Sequence, residues 1–233
     1  MRAESVTPRD SARCLTNNPI GSSITCFESL TRKYDALPGA LMSNMGFDFK
    51  EFADSYISDL KMALDSLPRD PIEQFWQMVQ HAQESNACIH FIGNGGSAAT
   101  PSHSAGDWSK ELSIKTISHT DNVASMTAWA NDTDYSNVFV GQLSTFLSKG
   151  DLVVAYSGSG TSSNLVNGLE FARQNGCATV AVTGNIDGSQ GGKIAEIADV
   201  AIVAPTGSME RIEDIQLVIN HIVKEAIKAH KGL

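Results

Sequence analysis

Ile89-His90-Phe91-Ile92-Gly93-Asn94-Gly95-Gly96-Ser97 is the stretch on which the fold turns: a short apolar run, a glycine-rich loop, and the opening of a helical pattern that reaches about residue 112. The same alternation repeats outward from it. Apolar runs recur at Ile114–Ile117, Leu152–Ala155, Thr179–Val182 and Val200–Val203, with helical spacing near 97–112, 135–148, 161–175, 190–197 and 208–230. Runs of this kind belong to strands covered on both faces. The pattern therefore predicts an α/β domain, a doubly wound five-stranded parallel sheet with helices on both faces.

Right-handed crossovers leave few strand orders for such a sheet. The flavodoxin-like order is expected, with ligands bound beyond the carboxyl ends of the strands. Ahead of the sheet, Phe49, Ala53, Tyr56, Ile57, Leu60, Leu64 and Leu67 form one apolar helical stripe that Pro68 ends. A second helix follows from Pro71. Residues 1–45 are rich in Ser, Thr, Asn, Pro and Gly and show neither period. They read as an N-terminal extension, either disordered or an artefact of an upstream start codon, and the domain is expected over 46–233.

A net charge of −9 without a Lys/Arg cluster weighs against nucleic acid as a partner. No apolar run approaches the roughly 20 residues that cross a bilayer, and the N-terminus lacks the apolar region of a secretory signal. The expectation is a cytoplasmic protein without a membrane partner. Cys14, Cys26, Cys88 and Cys177 have no metal or disulfide spacing, and Cys88 and Cys177 read as buried free thiols.

Two loops at strand-to-helix junctions have the chemistry to hold a phosphate. In Gly93–Ser97 the glycines allow close backbone approach, and Ser97 lies at a helix start, where unpaired N–H groups favour an anion. In Ser157-Gly158-Ser159-Gly160-Thr161-Ser162-Ser163 every position is a hydroxyl or a glycine, so the loop supplies many donors without charge. His103 and Asp107 share a face of the helix after the first loop. Glu213 and His221 belong to the last helix, separated by about two turns and roughly 80°. Each of the four can ligate a metal or move a proton, provided that the two helices converge.

At these residues the sequence resembles the SIS (sugar isomerase) domain family and, within it, the phosphoheptose isomerases, over roughly residues 47–230. GNGGS at 93–97, with His103 six residues beyond the serine, is similar to the family's first loop and helix. Ser157–Asn164 is similar to its phosphate loop, usually written STSGNSxN, and Ala130-Asn131-Asp132 resembles its Asn-Asp turn. Thr183-Gly184, Gly191-Gly192-Lys193, and Arg211-Ile212-Glu213 with His221 match its later blocks.

The resemblance implies that Ser157, Gly158, Ser159 and Ser162 hold a sugar phosphate, and that Asn94, Ser97, Asn131, Asp132 and Glu213 belong to the substrate site. It implies a catalytic pair, Asp107 and His221, and a zinc site at His103, Asp107, Glu213 and His221. Two positions depart from the family pattern: Asp107 stands where a glutamate is expected, and Glu213 where a glutamine is. Both remain competent zinc ligands. The implied reaction is aldose–ketose isomerisation through an enediol, from sedoheptulose 7-phosphate to D-glycero-D-manno-heptose 7-phosphate, a lipopolysaccharide precursor. A homotetramer is implied, with helix 47–67 as a candidate interface. The alternative is a non-catalytic SIS-domain adaptor resembling the replication-initiator-associating protein, which would bind a sugar phosphate without the catalytic pair.

Overall fold

The computed structural model of the protein describes residues 46–232, so the extension expected over 1–45 lies outside the described residues. By compactness the chain divides into two units, Met1–Phe52 and Ala53–Leu233. In the described part of the first, the Asp48 carboxylate accepts the N–H groups of Lys50 and Glu51 and opens helix α1, Phe49–Asp65. The Phe47 and Phe52 rings lie 5.7 Å apart there.

The second unit continues with α2 (Arg69–Glu84), β1 (Cys88–Gly93), α3 (Gly96–Leu112), β2 (Lys115–Ser118), α4 (Val123–Asp132) and α5 (Val138–Phe146). It ends with β3 (Leu152–Tyr156), α6 (Ser163–Gln174), β4 (Ala178–Gly184), α7 (Gly192–Ile197), β5 (Val200–Ala204) and α8 (Met209–Lys231). The five strands are all parallel in the order β2-β1-β3-β4-β5, which is the expected order. The chain reverses its direction of travel between β1 and β3. A crevice opens at the carboxyl ends of strands at such a switch point, and the two phosphate-loop candidates follow those two strands.

Strand side chains alternate between two cores. Ile89, Phe91, Val154, Tyr156, Val182 and Ile202 face a layer that includes Phe75, Trp108, Ile212 and Ile219, from α2, α3 and α8. Ile92, Val153, Ala155 and Ala181 face Phe139, Leu143, Leu165, Leu169 and Ile194 from α5, α6 and α7. A polar chain is also buried: His90 Nδ1 lies 3.0 Å from His119 Nε2, and His90 Nε2 lies 3.2 Å from Asp151 Oδ2. Asp151 then accepts the N–H groups of Cys88 and Ser148 and ties down the start of β3. Cys177 is buried and Cys88 half-buried, both free, and burial pushes the Cys88 thiol up to about 11.

Two sequence expectations need correction. Residues 123–132 form a helix, capped by the Asn122 side chain on Ser125 N–H at 3.0 Å, so Ala130-Asn131-Asp132 is a last helical turn. None of the α4 side chains is buried, so no apolar stripe marked it. The single helix expected over 135–148 is a 3₁₀ turn at Tyr135–Asn137 followed by α5, because Asp134 caps the turn through Ser136 N–H at 2.8 Å. No helix among the described residues is long and apolar enough to cross a membrane.

Candidate functional site

Gly95 sits ahead of α3 with φ +58 and ψ −129, a conformation that favours glycine and that turns the chain from β1 into the helix. Asn94, just before it, reaches across to the second loop. Its Nδ2 donates to Asn164 Oδ1 and its Oδ1 accepts from Asn164 Nδ2, both at 2.9 Å. Tyr135 Oη donates to the same Asn94 oxygen at 3.0 Å. Asn164 is buried in the first turn of α6, so this amide pair fixes the two loops to each other at the switch point.

The second loop is braced by its own groups. Ser157 is buried, and its Oγ accepts Gly160 N–H at 2.9 Å. Gly160 has φ +69, and a side chain there would run into the Gly191 carbonyl, so glycine is required on two counts. Gly158 is pinned by Gly184 N–H on its carbonyl at 3.2 Å. Ser159 and Ser162 are half-buried and Thr161 exposed, leaving hydroxyls and the α6 N-terminus open to solvent. A phosphate suits that surface: backbone N–H groups and the helix dipole favour an anion.

The second group of candidates gathers in the seam between α3 and α8. His103 Nε2 lies 3.0 Å from His221 Nε2, 3.5 Å from Asp107 Oδ2, and the His221 nitrogen lies 4.0 Å from that oxygen. The three donor atoms fall within 4.8 Å of one another. Two imidazoles and a carboxylate so spaced fit one zinc ion, since bonds of about 2.0–2.2 Å in a tetrahedron put ligand atoms a little over 3 Å apart. The side chains of His103 and His221 are about half exposed, so a metal held by them would be accessible to water or substrate.

Glu213 does not join this group. Its carboxylate lies over Gly96 and accepts Ser97 N–H, near the head of α8, eight residues before His221. The physical reason is the α3 N-terminus, whose unpaired N–H groups hold a carboxylate as they would a phosphate. Burial, with Glu210 and Asp214 nearby, raises the Glu213 carboxyl above its ordinary range. Asn131 and Asp132 stand exposed at the end of α4, with Asn131 Nδ2 donating to Asp132 Oδ1 at 2.9 Å. Asp107 lies ten residues after Ser97, about 15 Å down the helix. Ser97 and the metal-ligand candidates His103 and Asp107 therefore lie toward opposite ends of α3.

Sequence reasoning missed Lys224. It is buried on α8, its Nζ lies 2.8 Å from Asp107 Oδ2, and that bond holds the Asp107 carboxyl below the ordinary carboxylate range. Lys228 lies 3.0 Å from Glu111 one turn on. The signal was there: Asp107 and Glu111 are spaced i, i+4, as are Lys224 and Lys228, and opposite charges at matched spacing pair across helices that pack side by side.

Comparison with known proteins fits this geometry. The SIS domain family matches residues 52–184. The chain is 32% identical to the phosphoheptose isomerase of Aliarcobacter butzleri over 164 residues, 68% of this chain and 85% of that protein. It is 33% identical to that of Akkermansia muciniphila over 177 residues, 74% of this chain and 91% of that protein. Among solved structures, a phosphoheptose isomerase from Neisseria gonorrhoeae aligns with a TM-score of 0.73 at 24% identity, covering 78% of this chain and all of that one. At that identity the likeness shows the fold.

Proposed function

Because the chain belongs to the SIS domain family and, within it, to the phosphoheptose isomerases, we propose that this isomerase interconverts sedoheptulose 7-phosphate and D-glycero-D-manno-heptose 7-phosphate, a step toward lipopolysaccharide. The observation that carries the reading is the approach of Asp107 and His221 to 4.0 Å across α3 and α8, two helices that pack side by side. In the reaction, Ser157, Gly158, Ser159 and Ser162 hold the phosphate, with the α6 N-terminus supplying the favourable field. Asn94, Ser97 and Glu213 orient the sugar near the loop. Asn131 and Asp132 join them, a role supported by Tyr135, which follows closely and bonds Asn94.

Asp107 takes the proton beside the carbonyl and returns it to the neighbouring carbon, while His221 exchanges protons with the two oxygens, giving an enediol between the steps. Zinc held by His103, Asp107 and His221 would supply a Lewis acid for the carbonyl. Asp107 is one methylene shorter than the glutamate expected there, and a base misplaced by about 1 Å can cost on the order of 100-fold in rate.

The same reading makes the protein a cytoplasmic homotetramer, with residues 46–233 as the SIS domain and 1–45 as an extension. Ile57 and Met62, at least half exposed on α1, support an interface on that helix. Incubation with a panel of C5 to C7 ketose phosphates, with and without chelator, tests the proposal. Conversion of the seven-carbon ketose, lost with chelator, is expected. Tight binding of the ketoses without any conversion would contradict it.

A further inference from the structure

We propose that Lys224 is a built-in cation at Asp107 that competes with a divalent metal for the same carboxylate oxygen. The inference rests on the reading of the α3–α8 seam as a zinc site and adds a residue that sets how tightly the site binds. Lys224 Nζ lies 2.8 Å from Asp107 Oδ2, closer than His103 Nε2 at 3.5 Å or His221 Nε2 at 4.0 Å. All three therefore converge on one oxygen.

This lysine is not a loose surface charge. It is 8% exposed and faces two further carboxylates, Glu111 at 3.5 Å and Glu225 at 3.6 Å. Lysines buried to that degree are held by their partners. An ammonium and a metal ion are drawn to the carboxylate by the same Coulomb attraction and repel each other, and partial burial weakens solvent screening of both effects. A metal bound to Oδ2 and the two imidazoles must share the oxygen with Lys224 or displace the ammonium toward Glu111 and Glu225. Those two carboxylates give it somewhere to go, although Lys228 already engages both, at 3.0 and 3.7 Å. The two histidines and Asp107 therefore bind zinc less tightly than the same donors would without the lysine.

Zinc affinity, measured on the full chain by competition with a chromophoric chelator, tests this. Lys224→Met and Lys224→Gln, each checked for folding by thermal melting, are expected to bind zinc at least ten-fold more tightly than the wild type. Adding His103→Ala to either should abolish the gain. Unchanged or weaker binding in the folded variants overturns the proposal, as does a gain that survives His103→Ala. The wild type gives an independent check that no substitution can unfold: in a zinc-soaked crystal the Lys224 Nζ to Asp107 Oδ2 contact should be lost, and a metal on Oδ2 with that contact intact would overturn the competition. None of these readouts is isomerase activity. An inactive wild type with the affinity gain would sink the isomerase reading alone, and an active one without the gain would sink only the role of Lys224.

Discussion

Asn94 and Asn164 exchange amide hydrogen bonds across the switch point of the sheet, each donating to the other at 2.9 Å. One residue belongs to the loop after β1 and the other to the first turn of the helix after β3, so their separation sets the width of the crevice. Asn164→Ala leaves the Asn94 amide without its reciprocal partner and frees the loops to shift. Steady-state kinetics on the sugar phosphate should then show kcat/KM reduced on the order of 100-fold, the scale expected for a displacement of about 1 Å. The Asn94→Ala/Asn164→Ala double variant should lose much less than the sum of the single losses, because both cut the same contact. Additive losses would mean that the pair does not act as a unit.

Asp107 and Lys224 make stability depend on acid. The bond from Lys224 lowers the Asp107 carboxyl, so its folded value lies below its unfolded value. Such a group stabilises the fold above its unfolded pKa, and the contribution is lost as pH falls through the folded one. Asp107→Asn should therefore melt lower than wild type at neutral pH, and the gap should close as pH drops below about 4. A gap that stays constant down to pH 2 would show that the charge of Asp107 is not what stabilises the seam.

The buried imidazoles act in a different window. Burial, with His90 alongside, pushes His119 down to about 4, and burial lowers His90 as well. An unfolded histidine takes up its proton near 6.5, so between about 6.5 and 4 the unfolded chain binds more protons than the folded one. Stability should fall as pH drops through that interval, by up to about 1.4 kcal/mol per pH unit from His119. Melting curves of His119→Gln should have a shallower slope there than wild type. An equal slope would remove His119 from the account.

Gln216 predicts the opposite kind of variant. The residue is fully buried on α8, its Oε1 has no partner among the described residues, and its Nε2 reaches the Val182 carbonyl only at 3.5 Å. An unpaired buried carbonyl costs about 1–3 kcal/mol. Gln216→Met keeps the length and removes the polar atoms, so Tm should rise by roughly 2–4 °C for a gain of about 1 kcal/mol in a chain of this size. A fall in Tm would show that the amide is paired in solution, by ordered water for example.

The sheet was legible in the sequence because its strands are apolar throughout and its loops are rich in glycine and hydroxyls, signals that need no partner to interpret. His103 and Asp107 were legible as a pair because a helix fixes their spacing. Whether His221 would meet them depended on how α3 and α8 pack, which neither helix encodes alone. Glu213 shows the limit: its spacing from His221 allowed a shared cleft, yet the α3 N-terminus attracts its carboxylate more strongly than spacing can reveal. Helix α4 escaped because, with no buried side chain, it has no stripe. Lys224 escaped because a lysine four residues from another reads as a solvated face until an acidic helix is laid against it.

The most direct measurement is the proton transfer itself. Zinc-replete protein incubated with sedoheptulose 7-phosphate in D₂O should form the aldose with deuterium at the carbon beside the carbonyl, visible by NMR, and Asp107→Asn should abolish both turnover and label. Full turnover and labelling by Asp107→Asn, or wild-type protein that binds the ketose yet leaves its protons unexchanged, would contradict the account.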